Sequence, residues 1–193
     1  MLDVDNSNMG AVLTGSLLEG TAEYDRWPTD DEFRSSWMTN PLYENLTRPR
    51  MRLILEAIEA DMRTDKAESA AVPKSLTIEH ILPQAWEEHW SEAVTDVTEI
   101  ELRKRLVHAI GNLTLVNNKL NPALSNAPWD DVVLSDGKIV LDGKRGALAK
   151  HSTLFLNKDL AARSDWTDGA IDDRSEQLFA CALKVWPRPS VEI

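Results

Sequence analysis

The sequence predicts an α+β fold, mostly helical, with a small two-stranded finger set among helices. Apolar residues recur at helical spacing in "RMRLILEAIEADMR" and in "TDGAIDDRSEQLFACALKVW". Two short β-rich runs, "LTIEHIL" and "NLTLV", are each bounded by residues that stop or turn the chain. The run "NNKLNPALSN" after the second turns back toward helix. A strand, turn, strand, helix order is the outline of a finger packed on a helix.

The elements follow in order. Residues 1–24 carry Gly10, Gly15 and Gly20 without strong periodicity and read as a lead-in or linker remnant, leaving 25–190 as one domain. Thr29 followed by Glu32 forms a capping-box pattern that opens a short helix. Apolar positions 51, 53, 54, 55, 58 and 62 predict a helix over about 47–64. "TDKAESAAVPKS" reads as a loop, and the strand after it is halted by Pro83. Residues 86–108 are mostly helical in pattern, and Gly111 ends that stretch before a strand at 112–116. Asp136-Gly137 between "VVLS" and "KIVL" predicts a type I′ hairpin. Pro187 stops the last helix, which runs from Thr167 to Trp186.

With 193 residues and 42% hydrophobic content, the chain can bury one sizeable core or two small ones. No apolar run has the length needed to span a bilayer, and the N-terminus has acids where a secretory signal carries Lys or Arg. A cytoplasmic location without a membrane partner is the expectation. Cys181 is the only cysteine, so no intrachain disulfide or Cys-rich zinc site can form, and its apolar helical surroundings predict a buried, inert thiol.

The net charge of −11 argues against a polyanionic partner until its distribution is considered. Residues 101–160 hold nine basic and six acidic residues, the only net positive segment, whereas 76–100 hold six acids and no Lys or Arg. An anionic ligand would be held mainly from the former, and a cation could be served by the latter. Uneven solvated surface is the bland alternative.

Several residues could act as reagents. His80 is flanked by an acid and followed by Pro83, which places it near a strand end, and a neutral imidazole is the natural group to take a proton from water. Glu79 offers a hard oxygen ligand. Asn117 and Asn121 lie four apart on the expected helix, and an amide oxygen suits magnesium. Adjacent strand residues point to opposite faces, so Glu79 and His80 can meet one site only if the strand ends, bulges or twists there. Structural alternatives stand beside these roles: a satisfied core His80, turn-forming Asn112 and Asn117, a hydrogen-bonding His108, surface His89 and His151, and Trp86 with Trp90 as a packing stripe.

"IEHILPQ", "IGNLTLVNNKLN" and "LSNAPW" together resemble the HNH, or His-Me finger, nuclease domain at the C-terminus of GmrSD-type modification-dependent restriction enzymes and related phage-defence effectors. "RWPTDDEF", "NPLYEN", "RLILEAIE", "LNKDLAARSDWTDGAIDDRSEQL" and "VWP" extend the likeness over roughly residues 25–187. The resemblance implies a ββα-metal finger embedded in a helical domain, acting as a DNA endonuclease or nickase that depends on Mg2+ or Mn2+. It makes His80 the general base, Asn112 the residue that braces the loop and helps orient His80, and Glu79 and Asn121 the metal ligands. Lys144 and Arg145, with Lys119, would grip the DNA backbone, although the hairpin at 132–141 looks like an insertion before the first two. It further implies a nucleotide-hydrolysing sensor domain as partner, and no G-x-x-x-x-G-K-[ST] loop stands in this sequence. A catalytically silent DNA-binding or docking module is the competing reading, and hydrolysis of another phosphodiester such as RNA is a third.

Overall fold

A computed structural model describes residues 9–22, 25–63, 72–73, 75–88, 90 and 96–190, and its fold is α+β and mostly helical. Helix α1 (Met9–Glu19) buries none of its residues, so the expected lead-in is helical but packs little. Helix α2 (Asp30–Thr39) begins at a complete capping box: Thr29 takes the Glu32 amide, and the Glu32 carboxylate takes the Thr29 amide. A single turn, α3 (Leu42–Asn45), leads into α4 (Arg48–Met62), where Met51, Leu55 and Ile58 are all 0% exposed on one face. Each such burial contributes about 1.5–3 kcal/mol relative to exposure.

Strand β1 (Leu76–His80) pairs antiparallel with β2 (Leu113–Asn117), with Glu79 opposite Thr114 and His80 opposite Leu113. Between them lie a 3₁₀ turn at 86–88, helix α5 (Val97–Val107) and a second 3₁₀ turn at 110–112. The helix expected over 86–108 therefore begins at Val97 among the described residues; His89 lies outside them.

The two faces of the strand pair feed two cores. Leu76, Leu113 and Leu115 join Met51, Leu55, Ile58, Leu178 and Phe179 from α4 and α9 (Asp168–Val185). The other face carries Thr77, Glu79, Thr114 and Val116. Val116 belongs to the cluster of Ile81, Leu82, Trp86, Leu106, Trp129, Leu148 and Trp166, so Trp86 and Trp90 pack as a stripe. Helices α7 (Lys144–His151) and α8 (Phe155–Ala161) cover this side, and Thr114 Oγ1 donates to Asn157 Oδ1 at 2.5 Å.

Close approach explains Gly111. A Cβ there would lie 2.1 Å from the Ile171 carbonyl oxygen and 2.3 Å from Ser175 Oγ. The bare backbone lets its N–H reach Ser175 Oγ, while the buried Arg174 donates to the carbonyls of Gly111 and Leu113.

Three sequence expectations need correction. After β2 the chain makes a turn before the single-turn helix α6 (Asn121–Leu124), so Asn117 and Asn121 share no helix face. The Asn117 carboxamide oxygen accepts from the amides of Lys119 and Leu120, holding that turn. The hairpin of β3 (Val132–Val133) and β4 (Ile139–Leu141) is present, but its turn is not type I′. Within this turn only Gly137 has positive φ, at 82°, and its N–H donates to the Leu134 carbonyl, the pattern of a three-residue loop with a left-handed glycine. Cys181 is half-buried rather than buried, and partial burial raises its thiol pKa.

Candidate functional site

His80 closes β1 and keeps 7% of its surface exposed. The Tyr43 ring meets it edge-on with centroids 4.3 Å apart, and the His108 ring stands at 5.7 Å. Its Nε2 is buried with no hydrogen-bond partner. Burial first, then the neighbouring His108, Lys144 and Arg48, lowers its pKa to about 3, so the imidazole is neutral at ordinary pH. His108 Nε2 lies 3.3 Å from a Glu44 carboxylate oxygen, and the Tyr43 amide donates to the His108 carbonyl, which holds α3 across the imidazole.

Asn112 is 0% exposed and saturated. Its Nδ2 donates to the carbonyls of Leu82 and Val107, and its Oδ1 accepts from the Leu82 amide and Trp166 Nε1. With the Ile81 amide on the Asn112 carbonyl, this ties the exit of β1 to the entry of β2 and sets the backbone that carries His80.

Glu79 lies on the opposite face from His80, because the ladder stays regular through His80. Its Oε1 accepts from Lys144 Nζ at 2.8 Å, and the same ammonium donates to the His80 carbonyl at 2.6 Å. Burial pushes both partners toward neutrality, Glu79 up and Lys144 down, while their mutual attraction opposes the shift in each. Lys144 is 0% exposed and so turned away from any backbone grip. Arg145 is committed to Asp130 at 2.6 Å, and Lys119 is exposed. At the base of the hairpin the Lys144 and Arg145 amides donate to the Pro128 and Trp129 carbonyls, and the Gly143 amide donates to Asp131 Oδ1, stitching its ends together.

Asn121 Nδ2 donates to Thr77 Oγ1 at 3.0 Å, and Thr77 shares a strand face with Glu79 two residues on. The structure thus brings Glu79 and Asn121 to one face of β1, with His80 at its end on the other. Among the described residues no donor reaches Asn121 Oδ1 or Glu79 Oε2. No group of three or more His, Cys, Asp or Glu is placed to hold a metal among the described residues.

Sequence reasoning missed Tyr43, Arg48 and Arg52. They line a cleft of about 330 Å3 with Pro49, Thr77 and Ile78 along the free edge of β1. "TRPRMR" carries three arginines in alternate positions, a signal that an amphipathic-helix reading absorbs as ordinary solvated surface.

A helical domain that braces a short strand pair and presents an imidazole, a carboxylate and an amide beside it agrees with a restriction-endonuclease type of domain. Residues 27–181 match the family of GmrSD restriction endonucleases, C-terminal domain, and the chain belongs to that family. No curated protein matches the chain. Among the described residues no helix is long and apolar enough to cross a membrane.

Proposed function

We propose that this domain is a metal-dependent DNA endonuclease or nickase of an anti-phage restriction system, hydrolysing phosphodiester bonds through a ββα-metal finger. The observation that carries the reading is the partnerless Nε2 of His80 at the end of a strand whose other face gathers Glu79 and Asn121. His80 takes the proton of the attacking water, a role that requires the bound anionic phosphate to raise the basicity that burial depresses. Asn112 holds the backbone that aims it, and Lys144 fixes Glu79 from behind. Glu79 Oε2 and Asn121 Oδ1 would hold Mg2+, or Mn2+, which supplies polarisation of the phosphate and stabilisation of the departing oxygen.

In the family's context, a nucleotide-hydrolysing sensor domain is the expected partner and the cytoplasm the expected location. Two observations favour a second reading, a silent DNA-binding or docking module: Tyr43 covers His80, and Lys144 already occupies one oxygen of Glu79. Incubation of supercoiled plasmid with Mg2+ or Mn2+, with and without chelator, separates the two. The expected result is metal-dependent conversion to open-circle or linear DNA that His80→Ala abolishes. Equal cleavage by the variant removes His80 from the mechanism, and binding without cleavage supports the silent module.

A further inference from the structure

The positive segment at 101–160 offers little free charge at the site, because Lys144 is sealed and Arg145 is paired. We propose instead that the cleft along the free edge of β1 seats the phosphodiester backbone, with Arg48 and Arg52 holding phosphates; this rests on the nuclease reading and names its substrate interface.

The argument begins with charge. Two guanidinium groups and no carboxylate line this cleft. The polar cleft of about 440 Å3 beside His108 has Glu44, Glu87 and Glu101 against Lys104 and Arg105, a poorer host for a polyanion.

Position is the second ground. Arg48 and Arg52 stand one turn apart on α4, about 6 Å along its axis, so a single strand can be met at two points. One wall of the cleft is Tyr43, whose ring lies on His80; another is Thr77, whose hydroxyl holds the Asn121 amide. Backbone seated here therefore lies one side chain away from each candidate reacting group.

Availability is the third. The Arg48 guanidinium lies 3.2 Å over the Tyr43 ring and donates to the Tyr43 carbonyl, which orients it at the cleft mouth. Arg52 makes only an exposed pair with Glu56 at 3.3 Å, an interaction weak enough for a phosphate to displace.

The test is binding of a fluorescently labelled DNA duplex followed by anisotropy across a salt series, with Ca2+ in place of Mg2+. Arg48→Gln/Arg52→Gln is expected to flatten the log K against log salt slope by about 1.8, equivalent to roughly thirty-fold weaker binding at 0.15 M salt. Arg48→Lys/Arg52→Lys should restore the slope, while Lys138→Gln, exposed on the hairpin and outside the cleft lining, should leave it unchanged. Thermal melts establish that each variant is folded, and single Arg52→Gln, with about half the effect, serves if the double variant is not. An unchanged slope in Arg48→Gln/Arg52→Gln, with wild type binding and cutting normally, overturns the inference alone. So does a loss confined to Lys138→Gln. Wild-type protein that neither binds nor cuts DNA overturns the nuclease reading itself, and this inference with it.

Discussion

Replacing Lys144 with methionine removes an ammonium from a place water does not reach. The side chain is 0% exposed, and its Nζ makes two bonds, to Glu79 Oε1 at 2.8 Å and to the His80 carbonyl at 2.6 Å. Methionine fills much the same volume, so the packing loss is small and the effect is electrostatic. It leaves the carboxylate of Glu79, whose side chain is 10% exposed, without its counter-charge. Removing one member of a buried ion pair costs about 3–5 kcal/mol. For a chain of this length that lowers the melting midpoint by roughly 6–20 °C. Thermal unfolding followed by circular dichroism at neutral pH reads the loss directly. Glu79→Gln/Lys144→Met should recover most of it, because both charges then go together. A single variant that melts within about 2 °C of wild type, a shift of less than about 1 kcal/mol, would refute the claim that this lysine holds the site's backbone and carboxylate. So would a double variant as unstable as the single one.

Two further outcomes follow from the same geometry. Tyr43→Ala uncovers His80, so modification of that imidazole by diethylpyrocarbonate, mapped by mass spectrometry, should speed up severalfold; an unchanged rate would mean that Tyr43 does not shield it. Glu32 is held at a pKa of about 2, below its ordinary 4.5, chiefly by the Arg26 hydrogen bond and then by the Thr29 amide. Its contribution to α2 is therefore complete above pH 4.5 and fades as pH falls toward 2. The melting difference between wild type and Glu32→Gln should narrow over that interval, and a constant difference would show that the carboxylate's charge is irrelevant to the cap.

Local signals were legible in the sequence and long-range ones were not. The capping box at Thr29, the α4 stripe and the final helix depend on neighbours a few residues away, and all three stand where spacing placed them. The run from Asn117 to Asn121 misled because its apolar and polar order suits a helix, whereas the Asn117 side chain captures two backbone amides and makes a turn. At the hairpin, Asp136-Gly137 is compatible with more than one turn, and Ser135 joining the loop selects the longer one. Lys144 read as a surface cation because its partner, Glu79, lies 65 residues earlier on another element. Composition cannot reveal a pair closed only by packing.

The hairpin between Asp131 and Gly143 has an architectural consequence. Its neck is tied by the Pro128, Trp129 and Asp131 bonds to the start of α7, while Val133, Ile139 and Val140 stand about half in solvent. Through Lys144 that neck is linked to Glu79 and the His80 carbonyl, so exchange belongs at the exposed tip beyond it. This protrusion is consequently a natural graft point, where a tag or a shorter turn can be exchanged while the imidazole, carboxylate and amide keep their places.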